Sequence, residues 1–396
     1  MTIAYWLLGA AVVWCYIGYP LYVALEARFR PRPVRVAENA PSPSAVVVVA
    51  VRNEATLIAT RIENLLGQDY PPDRLGVLVV CNGTTDGTDL IVEAIARDDN
   101  RVRVARSAAQ AGKAGALNCG MAASPDAEII VFADARQAFA PDAVRQLVAP
   151  FSDPSVGAVT GRLVVERAPR AAVEGMRMYW GLESRLRAWE SRSGSVVGAT
   201  GAIYAVRRAL AATIPPSLIL DDVYLPLTIA MQGKRIVMAE NALAFDRAAA
   251  DEAVEFRRKR RTMVGNIQLL TTTPGILSPT RNPLFARYVS HKLMRLLTPF
   301  CLVAMLVLSG LLAGPFYGSL FFAQLAVYAL GTAGLFVRLP RLSFASAFVL
   351  IHVAIFAAVY RWRQDASDVW ISAAAPGASP SASPSSRMAE GATSHV

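Results

Sequence analysis

Three polar residues stand just beyond the ends of apolar runs: Glu54 after AVVVVAV (45–51), Asn82 after GVLVVC (76–81) and Asp134 after EIIVFA (128–133). Runs of this length and branching read as buried strands, and an open parallel sheet collects its ligands outside the carboxyl ends of its strands. The three residues are therefore expected on one rim. Any one of them alone reads equally well as a turn cap; three at three strand ends favour a nucleotide site. Lys113, in GKAGALN (112–118), stands at a helix start, where it either reaches a phosphate or is merely exposed.

The elements that must position these residues follow from the spacing of apolar runs. A strand at 45–51 leads to a helix at about 55–66; QDYPPDRL turns into the strand 76–81, and NGTTDGT caps a helix from about Asp86. A strand at 101–105, a helix opening at Gly112 and a strand at 128–133 complete an alternating α/β pattern with a mostly parallel sheet. A dinucleotide fold needs G-x-G-x-x-G straight after its first strand, and the chain has VRNEATL there. SAAQAGKAGA lacks the P-loop spacing as well.

Composition sets the surroundings. The chain is 54% apolar, with 23 uncharged residues from Ile3 to Leu25 and 42 from Leu296 to Val337, long enough to cross a hydrocarbon core of about 30 Å. The expected organisation is a transmembrane helix at 1–25, a basic and proline-rich linker at 26–44, a cytoplasmic domain at 45–270, an interfacial segment at 271–295, two or three spans at 296–360 broken near Gly314-Pro315, and a tail at 361–396, disordered from about Ser372. Arginines 28, 30, 32 and 35 put the domain on the cytoplasmic side, whereas three later spans would leave Arg361 and Arg363 on the wrong one. The net charge of +10 beside membrane segments suits lipid headgroups and phosphorylated substrates rather than nucleic acid. The four cysteines have neither metal-ligand nor disulfide spacing. Tyr179, Leu182, Leu186 and Trp189 recur at helical spacing, on a helix facing either a core or the membrane surface.

Taken in order, AVRNE (50–54), VCNGTTDGT (80–88), GKAGALN, FADAR (132–136), GATGAIYAVRR (198–208), LDDVYL (220–225) and RRKRRTMVGN (257–266) resemble the family 2 inverting glycosyltransferases. The likeness is greatest to the membrane-integrated branch that includes cellulose, hyaluronan and poly-N-acetylglucosamine synthases. The resemblance implies a GT-A-like, Rossmann-type nucleotide-sugar domain with flanking transmembrane helices, in a bacterial plasma-membrane enzyme of polysaccharide assembly. Its donor is a nucleotide sugar, with UDP expected, and its acceptor a lipid-linked or polymeric glycan; a catalytically silent assembly subunit is the alternative.

The resemblance also implies roles. Ala50, Arg52, Glu54 and Asn82 would hold the nucleoside, and Lys113 and Asp134 the diphosphate end, with Thr200, Gly201 and Ala202 against the acceptor. Asp222, with Asp221 before it, matches the family's E-D motif, whose carboxylate takes the acceptor proton; the other reading of the pair is a helix N-cap. In the Q-x-x-R-W motif Arg258 replaces the glutamine, Arg261 keeps the arginine and Thr262 replaces the tryptophan, which puts processivity in question. Asn82 stands where most relatives carry aspartate. Arg136 occupies the second position of D-x-D, so a divalent ion, Mg or Mn, would be held by Asp134 and the diphosphate alone, or the guanidinium would take over part of its electrostatic work.

Overall fold

Alternate valines of the first strand point into different cores: Val47, Val49 and Val51 into one, Val46 and Val48 into the other. A strand buried on both faces belongs inside a layered α/β sheet, which is why the run is continuously apolar. The computed structural model describes residues 1–37, 41–165, 171–216, 218–246, 252–336 and 343–362. Its strands are β1 (Ala45–Val51), β2 (Leu75–Asn82), β3 (Val102–Ser107), β4 (Ile129–Ala133), β5 (Ala138–Phe139), β6 (Val156–Val165), β7 (Ile203–Arg207) and β8 (Arg235–Asp246). They form one sheet in the order β3-β2-β1-β4-β7-β6-β8-β5.

The strands β1 to β4 run parallel, as expected. β7 is antiparallel to both β4 and β6, and β5 to β8, so the sheet is mixed. Helices Ile58–Leu66, Thr88–Asp98 and Ala143–Val148 cover one face; Gly112–Ala122, Asp221–Met231 and part of Glu252–Thr272 cover the other. Gly120 lets the helix Gly112–Ala122 lie directly on β1 and β2, because a Cβ there would come within 2.4 Å of Val48 Cγ1.

Among the described residues three helices are long and apolar enough to cross a membrane: Thr2–Phe29, Phe285–Leu311 and Pro315–Leu335. The break at Gly314-Pro315 falls where the sequence puts it. From Phe285 the basic, aromatic stretch before Leu296 is helical and continuous with the second of these helices. The helix Ser343–Trp362, the third candidate span after the domain, packs along helices Ala171–Ser193 and Glu252–Thr272. Of the helically spaced residues, Leu186 and Trp189 pack on Tyr19 and Val23 of the N-terminal helix, and Leu182 is exposed. Tyr179's side chain and the tail from 363 lie outside the described residues.

Arg287 ties these parts together. Its guanidinium reaches Glu26 Oε2 at 2.8 Å, the Glu190 carbonyl at 2.7 Å and the Ser195 carbonyl at 2.8 Å. One side chain thus joins the N-terminal helix, the helix Phe285–Leu311 and the loop that leads toward β7.

Candidate active site

The strand order reverses between β1 and β4, since β2 and β3 lie on one side of β1 and β4 on the other. Loops leaving neighbouring strands in opposite directions open a crevice there. Val49 pairs with Ala133, so Ala50 and Asp134 emerge side by side at the crevice, with Arg52 and Glu54 just above. Asn53, at φ 57°, accepts the Thr85 N–H at 2.9 Å, and Asp86 accepts the Ala55 N–H at 3.0 Å, locking the loops after β1 and β2 together. Burial raises the Glu54 carboxyl above its ordinary range, partly opposed by Arg136.

Asn82 is fully enclosed at the end of β2. Its amide nitrogen donates to Ser107 Oγ at 2.9 Å and to the Ala108 carbonyl at 2.7 Å. Its Oδ1 is buried without a partner. The amide is thus fixed by its donors, and its oxygen is left as a buried acceptor without a donor.

Lys113 is the hinge of the site's charges. Its Nζ lies 3.0 Å from Asp134 Oδ1 and 3.6 Å from Asp221 Oδ1. Burial would lower the lysine's pKa, but the two carboxylates outweigh it and raise it. Burial likewise would raise Asp134, and the Lys113 charge holds it below the usual carboxylate range. Asp221 is buried and accepts the Tyr204 hydroxyl at 2.7 Å, which fixes it under the helix start. Asp222 points the other way, its Oδ2 accepting the Gly201 N–H at 2.9 Å. Burial and the adjacent Asp221 push Asp222 up to about 6, against the pull of Lys113, Arg187 and Lys292. Neither side chain caps its own helix; Asp221 is the anchor, and Asp222 is a carboxylate that takes up a proton close to neutral pH.

The arginines divide into three groups. Arg136 Nη2 binds the buried Asp246 Oδ2 at 2.8 Å, and Gln137 Nε2 adds 3.2 Å to the same oxygen. Arg261 lies within electrostatic reach of Lys113 and Asp134. In the rest of the basic run Arg257 is exposed, Arg258 is half-buried and Lys259 sits 4.3 Å over the Trp180 ring, so the run is spread round its helix. Arg61, which sequence reasoning missed, lies buried 4.2 Å over the Phe139 ring with Nε and Nη2 unpartnered, within electrostatic reach of Asp134.

A divalent ion of the Mg or Mn type takes oxygen ligands in near-octahedral array. On the rim the Asp134 Oδ1 already holds Lys113, and Glu54 is raised by burial and faces Arg136. Asp246 Oδ2 is taken by Arg136 and Gln137. Among the described residues no three His, Cys, Asp or Glu side chains group to hold a metal. The residues present do not fit a protein-held divalent ion.

Around the candidate acceptor stretch, Ala202 is buried, Gly201 gives its amide to Asp222, and Thr200 Oγ1 accepts Arg187 Nη1 at 2.7 Å. Arg187 is held in turn by Glu183 at 3.1 Å. Glu183 also meets His291 Nε2 at 3.0 Å and Arg295, and His291 Nδ1 meets Glu190 at 2.7 Å. This buried network went unnoticed in the sequence; the signal available was two glutamates seven apart on a helix otherwise heading for a membrane-side core.

Residues 46–214 match the family model of Glycosyl transferase family 2. The chain is 29% identical over 209 residues to a beta-monoglucosyldiacylglycerol synthase of Synechocystis sp., a match spanning 51% of this chain and 43% of that one, less than half of the relative's length. It is 23% identical over 279 residues to a probable glycosyltransferase of Bacillus subtilis, spanning 65% of each chain. A mannosyltransferase from Pyrobaculum calidifontis, solved in complex with GDP-Man and Mn2+, superposes with a TM-score of 0.68 at 23% identity, covering 91% of this chain and 98% of that one. That likeness fixes the fold, a mixed α/β arrangement of the GT-A kind.

Proposed function

We propose that this chain, whose crevice lies in a family 2 glycosyltransferase domain, transfers a sugar with inversion from a nucleoside-diphosphate sugar to the hydroxyl of a lipid or lipid-linked acceptor at a membrane surface. The observation that carries the reading is the division of labour in LDDVYL: Asp221 pinned by Tyr204 and Lys113, Asp222 raised to about 6 and aimed by the Gly201 amide. In the reaction Asp222 takes the proton of the acceptor hydroxyl as its oxygen bonds to the anomeric carbon. The bond from that carbon to the diphosphate oxygen breaks on the opposite face, and the departing charge falls to Lys113 and its neighbours.

Asn82 Oδ1 is an acceptor without a donor, which suits the ring N–H of a keto base such as uracil or guanine. The acceptor side is the wall formed by Thr200 and Gly201, next to the helices long and apolar enough to cross a membrane. The name of the Synechocystis relative favours a lipid acceptor over the polymer-synthase branch, and the exposed Thr262, where that branch carries tryptophan, agrees. The domain would face the cytoplasm of a bacterial plasma membrane. With two spans after the domain, the helix Ser343–Trp362 and Arg361 return to the side of the domain, which satisfies the charge rule that three spans violate. A silent assembly subunit has no use for an unpaired Asn82 acceptor and a carboxylate raised toward neutrality.

The test is a panel of labelled nucleotide sugars given to the purified full chain in detergent, with diacylglycerol and polyprenyl-linked glycans as acceptors and products read by mass spectrometry. Transfer that disappears in Asp222→Asn is expected. No transfer from any donor to either acceptor class, or full activity in Asp222→Asn, would sink the proposal.

A further inference from the structure

We infer that the counter-charge to the donor's diphosphate is supplied in this protein by side-chain cations, Lys113, Arg136 and Arg261, in place of a divalent metal ion. The inference rests on the nucleotide-sugar reading above and concerns how the crevice meets the charge of that donor.

The place a metal would take is occupied by fixed positive charge. Asp134, at the end of β4, has Lys113 Nζ at 3.0 Å, and Arg136 and Arg261 are both near enough to act on its charge. A divalent ion brought to Asp134 would meet the Lys113 ammonium 3.0 Å from that carboxylate, with Arg136 and Arg261 adding positive field, and repulsion between like charges in a partly buried site is strong. A diphosphate brought there meets the same cations with the opposite sign.

Arg136 is built to stay. Asp246, 5% exposed at the end of β8, grips Nη2, while Gln137 on the neighbouring position shares that carboxylate oxygen. The grip leaves the buried Arg136 Nε with no acceptor. Asp246 Oδ1 and Gln137 Oε1 are also unpartnered. A metal cage presents acceptors only. The Arg136 Nε–H is a donor that a phosphate oxygen or a water can satisfy and that a cation cannot. Behind it the unpartnered N–H groups of Arg61 add positive field toward Asp134. A guanidinium donates from a rigid fork that matches phosphate geometry, so Arg136 replaces a metal's charge and part of its directionality at once.

The experiment is calorimetric titration of the purified full chain with UDP and with GDP, in EDTA and again with excess Mn2+ or Mg2+. Binding of at least one nucleotide in EDTA, tightened less than about threefold by metal, is expected. Arg136→Gln should weaken binding about tenfold or more in both buffers, the loss of a charge-assisted phosphate contact. Because that variant can fail by misfolding, Mn2+ electron paramagnetic resonance on the unaltered chain gives an independent reading. The free-ion signal should persist when protein and nucleotide are added together beyond what the nucleotide alone removes. Binding that appears only with metal, or protein-dependent loss of the free Mn2+ signal, overturns the inference and leaves the donor reading standing. No binding of either nucleotide in either buffer removes the donor reading and the inference with it.

Discussion

Asp222 and Glu183 are both acids enclosed by protein, and they are treated in opposite ways. Asp222 lies beside another carboxylate and accepts the Gly201 N–H at 2.9 Å, and burial with Asp221 pushes it up to about 6. Glu183 is met by His291 at 3.0 Å, Arg187 at 3.1 Å and Arg295. Burial would raise Glu183 too, but His291, Arg295 and Arg187 outweigh it and hold the carboxyl well below its ordinary range. A buried charge surrounded by opposite charge serves architecture, whereas one left facing its own kind is poised for proton transfer. The contrast separates the rim, with a carboxylate raised toward neutrality, from the Glu183 network, which joins the helix Ala171–Ser193 to the helix Phe285–Leu311.

The sharpest way to break that contrast is Asp222→Asn. Transfer should fall by about 10²- to 10⁴-fold, the usual worth of a positioned base, while thermal stability measured in detergent rises, because the amide removes a charge the fold disfavours. A fall in melting temperature would place Asp222 in the architectural class instead.

Glu183→Ala should do the reverse. It strands His291, Arg187 and Arg295 around an empty site, and removing one partner of a buried ion network costs about 3–5 kcal/mol. Thermal unfolding of the purified chain should show that loss. An unchanged melting temperature would mean that the network is no joint.

Acidification separates the two clusters by sign. Asp222 is raised, so between its ordinary 3.8 and about 6 a rising pH ionises it in the unfolded chain first, and its contribution to stability falls through that window. Glu183 and Glu190 are depressed, so their contribution is present above the ordinary 4.5 and is lost as pH drops below it toward their lowered values. Activity should decline as pH falls through about 6, where Asp222 takes up its proton, well before the membrane-side network weakens. A rate unaffected by pH in that range would contradict the base assignment. Tyr204→Phe is a milder probe of the same region: it takes the hydroxyl from buried Asp221, at about 1–3 kcal/mol for an unsatisfied acceptor.

The legible part of this molecule is the half made by consecutive βα units. β1, β2 and β4 announce themselves by valine and isoleucine runs, and their parallel pairing sends Glu54, Asn82 and Asp134 to one rim without any knowledge of distant contacts. β6 to β8 carry no such signal, because VGAVTGRLVV pairs with β7 across a connection that includes a long helix, and β7 inserts antiparallel beside β4. Motif order located Asp222 but not what aims it, since the Gly201 amide reaches it from the far side of a bridge at Thr200 and Ile203. Arg136 was legible as a departure, yet its partner Asp246 lies 110 positions away and follows from the sheet alone. Side chains that serve by facing another element, such as Arg61, Glu183 and His291, leave only their type in the sequence.

Gly201→Ala probes the aim of the base with the least disturbance to anything else. The glycine is absent from the left-handed φ region, so alanine meets no backbone penalty there. A Cβ would, however, stand 3.2 Å from Asp222 Oδ2, closer than a carbon comfortably sits, although its 3.5 Å to the carboxyl carbon is an ordinary contact. The carboxylate must turn away by a few tenths of an ångström while Asp221, Tyr204 and Lys113 keep their places. Transfer should drop about tenfold, as expected when a reacting group is displaced by a fraction of the distance that costs a hundredfold, with the melting temperature unchanged. If alanine lowered stability and left the rate alone, Gly201 would belong with Glu183 as a packing residue, and the acceptor wall would have to be sought elsewhere on β7.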